Sequence, residues 1–109
     1  MPAVNESFAL TEAVYYILLS LFEPMHGYGI MQNVAALSDG RVNLAAGTLY
    51  GAIGVLLERG WISAVPGERN SRKKDYVITR QGKAAVQTEL VRLRELVRNG
   101  ESIIGGDLE

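Results

Sequence analysis

Two groups of residues carry most of the chemistry this sequence can offer. Arg69, Arg72, Lys73 and Lys74 fall within six residues, beside the small polar Asn70 and Ser71. On an exposed turn, such a cluster either meets phosphates or forms a solvated charged surface. The second group lies in AAGTLYGAIGVLLERGWI, residues 45–62, which keeps a helical rhythm yet contains Gly47, Gly51 and Gly54. Each glycine costs a helix interior roughly 1 kcal/mol relative to alanine, so three of them need a reason.

With successive residues turned by about 100°, Leu49, Ile53, Leu56 and Leu57 share one side of that helix and the three glycines fall opposite. Thr48 and Val55 edge one flank of the bare strip, and Tyr50 edges the other. A strip without side chains lets a helix backbone approach the wall of a groove, with Thr48 and Tyr50 able to bond phosphate oxygens or base edges. The same pattern also lets two helices pack closely, or marks a helix that merely tolerates glycine.

Other chemistries find little support. With no cysteine and only His26, the chain has neither a disulfide framework nor a polyhistidine cage, and no metal or cofactor is expected. The string GTLYGAIG lacks the preceding strand and the lysine or downstream acid of the phosphate-binding fingerprints, so no enzyme is expected. His26, in HGYGI, suits capping or phosphate contact at a helix start, and Tyr28 can reach a phosphate from the same place. Trp61 reads as a core anchor, and Tyr76 as a half-buried strand residue.

The elements that must position these groups follow from pattern. At 109 residues, 48% hydrophobic and 21% charged, the chain suits one compact domain. The net charge of −1 conceals a division: residues 1–40 hold four acids and no Lys or Arg, while 41–80 hold seven bases and three acids. A localised basic surface outweighs the total when the partner is a polyanion. The longest apolar run, AVYYILLSLF, is about half a bilayer span, and Glu6 and Glu12 do not suit a secretory leader. A cytoplasmic protein with no membrane partner is expected.

Leu10 to Phe22 reads as a helix apolar almost all round, covered on its second side by another subunit or by a thick core of its own chain. A second helix is expected from about Gly27 to Leu37, with Ile30, Met31, Val34 and Leu37 inward, ending at SDG. Asn43 is a candidate N-cap for a third helix over about 45–59, which Gly60 closes. Trp61 to Val65 and Asp75 to Ile78 form a hairpin with the basic cluster at its tip. Thr79 caps a last helix to about Asn99, in which Val86, Leu90, Leu93 and Val97 form a four-three-four seam. The tail from Asn99 onward is expected to fray, unless Ile103 and Ile104 dock.

Three helices, a hairpin and a further helix give a mainly α fold with a small β-hairpin. This is the order of a winged helix-turn-helix, with a three-helix core, a two-stranded wing and a C-terminal dimerisation helix. Residues 1–79 would form the winged-helix DNA-binding part with its N-terminal helix. Residues 80–109 would form the dimerisation helix and tail of the same compact domain.

The strings HGYGI, GTLYGAIGVLLERGWI and RKKDYVITRQG, in that order after LTEAVYYILLSLF, resemble the PadR family of transcriptional regulators over about residues 8–98. The resemblance implies a homodimer that binds a near-palindromic duplex operator and represses, and in some members a small-molecule effector that releases the DNA. On the reading of the residues themselves, Gly47, Thr48, Tyr50, Gly51 and Gly54 are expected to face the groove, Tyr28 and His26 to position it, and Arg69, Arg72, Lys73 and Lys74 to meet phosphates. The resemblance implies that the first and last helices make the dimer interface, which puts Val14, Ile17, Leu18, Leu21, Val86, Leu90, Leu93 and Val97 there. Where the family often carries proline after GTLY and a polar residue three places later, this chain has Gly51 and Gly54. That departure shifts weight to Thr48, Tyr50, the backbone and DNA shape. The last helix has no tryptophan, so the aromatic drug sandwich of certain members is not expected. The reading from a different class is a winged-helix protein-interaction module with no DNA role.

Overall fold

The computed structural model describes residues 9–66 and 74–105. Its elements run α1 Glu12–Ser20, α2 Gly27–Leu37, α3 Ala46–Glu58, β1 Ile62–Pro66, β2 Lys74–Ile78 and α4 Arg80–Ile104. The mainly helical fold with one antiparallel pair of strands is the one expected.

Helix α1 begins where the Thr11 side chain accepts a hydrogen bond from the Val14 amide at 3.1 Å. It is shorter than the expected Leu10 to Phe22. The chain leaves the helix at Leu21, whose carbonyl accepts the Ile78 amide at 2.8 Å. Ile17, Leu18 and Leu21 then pack with Ile30 and Val34 of α2, Leu49, Ile53 and Leu56 of α3, Ile62, Ile78 and Val86 in one core. Within the described chain, α1 is covered by α2 and α4. Ile17, Leu18, Leu21 and Val86 are at most 6% exposed, and so are corrected from interface to core residues.

Between α2 and α3, the buried Ser38 hydroxyl donates to the Val34 carbonyl and accepts from the Val42 amide, both at 2.9 Å. The expected cap at Asn43 is absent: its amide donates to the Gly40 carbonyl, and Ala45 stands at the N-cap with no side-chain bond. Leu37 and Leu57, expected inward, are 47% and 38% exposed. Each sits at the margin of its helix's stripe, one step round from a residue that already fills the core.

Helix α3 stops at Gly60, whose φ of +77° turns the chain back on itself. The amides of Gly60 and Trp61 return to the carbonyls of Leu57 and Leu56, both at 3.0 Å. The hairpin pairs Ile62 with Ile78 through to Pro66 with Lys74. A third, single-residue strand joins it: Met25 exchanges both backbone hydrogen bonds with Tyr76, at 3.0 and 2.9 Å.

Helix α4 opens on the expected Thr79 cap, whose hydroxyl accepts from the Gly82 amide and donates to the Gly60 carbonyl at 2.6 Å. It does not end near Asn99. The helix passes through Gly100, although a glycine in a helix interior costs roughly 1 kcal/mol relative to alanine. It stops at Gly105, with φ +62°.

Candidate nucleic-acid interface

The rotation of α3 is fixed by Leu49, Ile53 and Leu56, each at most 2% exposed. Burying them turns Gly47, Gly51 and Gly54 outward, and a β-carbon added at any of the three meets nothing within 4 Å. The strip is therefore open surface, and close helix packing against it is not found within the described chain. Thr48 is exposed on its flank. Val55, on the same flank, is also exposed.

Tyr50 stands on the other flank, half exposed, and its side chain crosses to α2. Its ring lies over Gly27, the first residue of α2, with Cζ 2.7 Å from where a Gly27 β-carbon would sit. His26, half-buried at the N-cap, supplies no side-chain hydrogen bond to the helix. The first-turn amides of α2, at the positive end of the helix dipole, thus have no side-chain cap. Tyr28 is 60% exposed on that turn. A tyrosine hydroxyl, uncapped amides and an exposed phenol beside an open helix ridge suit a phosphate chain running past α2 while α3 faces a groove.

The cations are distributed unevenly. Arg41, on the link to α3, forms an exposed ion pair with Glu12, and that hydrogen bond raises its pKa above the ordinary arginine value. Arg59 stacks on Trp61, with its guanidinium carbon 5.2 Å from the ring centroid. Lys74 is exposed at the start of β2. Arg69, Arg72 and Lys73 lie outside the described residues. The structure thus brings His26, Tyr28, Gly47, Thr48, Tyr50, Gly51 and Gly54 onto α2 and α3, with Lys74 on the hairpin. Of the expected interface residues, Val14, Leu90 and Leu93 are half-buried and Val97 is 59% exposed.

Sequence reasoning missed two contributors. Gly27 matters because Tyr50 occupies the space its side chain would need. Met25 matters because it fastens the α1–α2 loop to the wing. Neither leaves a periodic signal.

A helix-turn-helix whose second helix is open to solvent, followed by an antiparallel hairpin, defines the winged-helix class. The sequence matches the PadR-like transcriptional regulator family over residues 16–88, and the chain belongs to that family. It is a transcriptional regulator and not an enzyme. No curated relative matches it. Solved structures agree on the fold. A PadR family regulator from Eggerthella lenta superposes with TM-score 0.72 at 22% identity, covering 94% of this chain and 89% of the other. A PadR-like transcription factor from Bacteroides fragilis gives 0.69 at 22%, covering 92% and 95%. A PadR family regulator from Clostridium difficile gives 0.67 at 20%, covering 84% and 98%. Among the described residues, no helix is long and apolar enough to cross a membrane.

Proposed function

We propose that the protein is a cytoplasmic homodimeric repressor that binds a near-palindromic duplex operator, with residues 1–79 contacting DNA and residues 80–109 joining the copies. The observation that carries the reading is the bare ridge of Gly47, Gly51 and Gly54, open to solvent beside the uncapped start of α2. The ridge meets the major groove. Tyr28, Tyr50 and His26 meet phosphates alongside, and the wing cations Arg69, Arg72, Lys73 and Lys74 meet the neighbouring backbone.

The dimer is supported by α4. The spacing four-three-four expected for Val86 to Val97 continues through Gly100 to Ile104, because the helix continues. Val97 and Ile104 are 59% and 44% exposed on that line, and Leu96 and Ile103 widen it. An apolar seam on a helix of about 37 Å needs cover that the described residues do not provide. A second copy gives an isologous contact and places two copies of α3 for grooves about 34 Å apart.

Selection from a random duplex pool tests the reading. A two-fold symmetric enriched motif is expected, with affinity falling steeply as salt rises. Replacing Lys73 and Lys74 by alanine should make the log–log salt slope shallower by about 0.9 for each phosphate that is no longer neutralised. No enrichment, with wing cations indifferent to alanine, would instead support the protein-interaction module.

A further inference from the structure

We propose that Thr48 is the one base-reading side chain of α3, and that Tyr50, two residues on, belongs to the phosphate-contacting set. The inference rests on the DNA-binding reading above and assigns roles within it.

Helix α3 carries few groups able to read bases. Discrimination of base pairs in the major groove comes chiefly from Arg or Lys on guanine, Asn or Gln on adenine, and Asp or Glu on cytosine. From Ala46 to Leu57 there is none of these. Glu58 and Arg59 come ten and eleven residues after Thr48, about 15 Å along the axis. That is the wrong end, because recognition helices of this class touch bases with their N-terminal residues. Arg59 is moreover drawn onto the Trp61 ring.

Two hydroxyls remain in the first turns, and the structure separates them. The Tyr50 side chain leans over Gly27 and puts its oxygen at the start of α2, beside amides that suit a phosphate. Thr48 is exposed on the opposite flank of the glycine strip, at the third position of α3. Its hydroxyl both donates and accepts, and its methyl group suits the methyl of thymine. A threonine is short, so it reaches a base edge only if the helix backbone comes close. Gly47 on one side of it and Gly51 one turn on leave nothing to hold the backbone away. The bare ridge and the short reader are thus two parts of one arrangement, in which α3 contributes one contact per half-site and DNA shape supplies the remaining selectivity.

The test compares the wild-type protein with Thr48→Val and Thr48→Ser in selection from a random duplex pool, followed by affinities on the enriched duplex and its single-base variants. Valine keeps the size and a methyl group but removes the hydroxyl; serine restores the hydroxyl. Thr48→Val is expected to keep the half-site spacing and the salt slope, and to lose a preference of about 3- to 10-fold at one base pair in each half-site. Thr48→Ser is expected to retain it. A Thr48→Val protein that enriches the same motif at every position overturns the assignment of Thr48 while leaving DNA binding intact. A wild-type protein that enriches no duplex overturns the DNA-binding reading, and this inference with it.

Discussion

The Tyr50 ring lies so close over Gly27 that any side chain at Gly27 would overlap its hydroxyl. The contact joins α3 to the start of α2 through a side chain, and it decides where the phenol points. Glycine is required there for space, not for backbone conformation.

Gly27→Ala should therefore separate stability from binding. The clashing atoms are the far end of a half-exposed side chain, which can swing aside, and alanine recovers some helix propensity. The thermal midpoint is expected to stay within about 5 °C of wild type. With Tyr50 displaced, duplex affinity is expected to fall by roughly tenfold, the scale of one charge-assisted hydrogen bond. Calorimetry and fluorescence anisotropy measure the two quantities. Full affinity in the alanine variant would show that Tyr50 does not act from that position.

Two glycines of α4 are expected to respond in opposite directions. A β-carbon at Gly82 would overlap the Trp61 carbonyl oxygen and lie 2.7 Å from Cγ1 of Ile78. The carbonyl cannot retreat, because it also accepts the Thr79 amide at 2.9 Å. Gly82→Ala should cost about 3 kcal/mol or more, as overpacking against backbone does. At Gly100, in the same helix, nothing lies within 4 Å. Gly100→Ala should stabilise the helix by about 0.5–1 kcal/mol. Chemical denaturation of both variants checks the pair, and equal effects would contradict the packing described for Gly82.

Much of this architecture is legible in the sequence, for physical reasons. The bounds of α2, the stop at Gly60 and the cap at Thr79 are local events, set by residues within a few positions of one another. The outward face of α3 is legible because Leu49, Ile53 and Leu56 leave it only one rotation. What covers a helix is not local. The apolar pattern of α1 is equally consistent with a partner or with the chain's own α4, and Ile17, Leu18 and Leu21 turn out to face their own core. The pairing of Met25 with Tyr76 spans fifty residues and involves a single residue on one side, so no period announces it. The continuation of α4 through Gly100 is hidden because one glycine looks like a stop, whereas only Gly105 takes up the positive φ that ends the helix.

Glu89 gives the protein an acid-sensitive joint. Its carboxylate, 3% exposed on the residue scale, receives two hydrogen bonds from Arg92 at 2.9 and 2.6 Å and one from the Leu10 amide at 3.4 Å. The Arg92 hydrogen bonds, against the opposing effect of burial, hold its pKa below the ordinary carboxylate value. A pKa lower in the folded than in the unfolded chain contributes stability that is present above the unfolded value. That stability is lost as the pH falls through the folded value. The Tm of the wild-type protein should therefore drop on acidification below about pH 4.3, and Glu89→Gln should remove part of that dependence while lowering the Tm at neutral pH. Parallel Tm-against-pH curves for the two proteins would refute the role given to this carboxylate.

Val97 distinguishes a dimer seam from a chance apolar surface. In the single chain it is 59% exposed, so Val97→Asp removes no core packing and the protomer should keep its helical spectrum. Across a two-fold contact the same change buries a carboxylate against apolar side chains, and burying an unpaired charge is strongly unfavourable. Sedimentation should then show a monomer at concentrations where the wild type is paired. Val91 is the control: it is 62% exposed on the same helix but lies off the seam, so Val91→Asp should leave the dimer intact. Linked half-sites bind with avidity roughly 10²- to 10⁴-fold above a single one, and Val97→Asp should reduce affinity for a full operator toward that for one half-site. A Val97→Asp protein that pairs as well as wild type would place the contact between copies somewhere other than this face of α4.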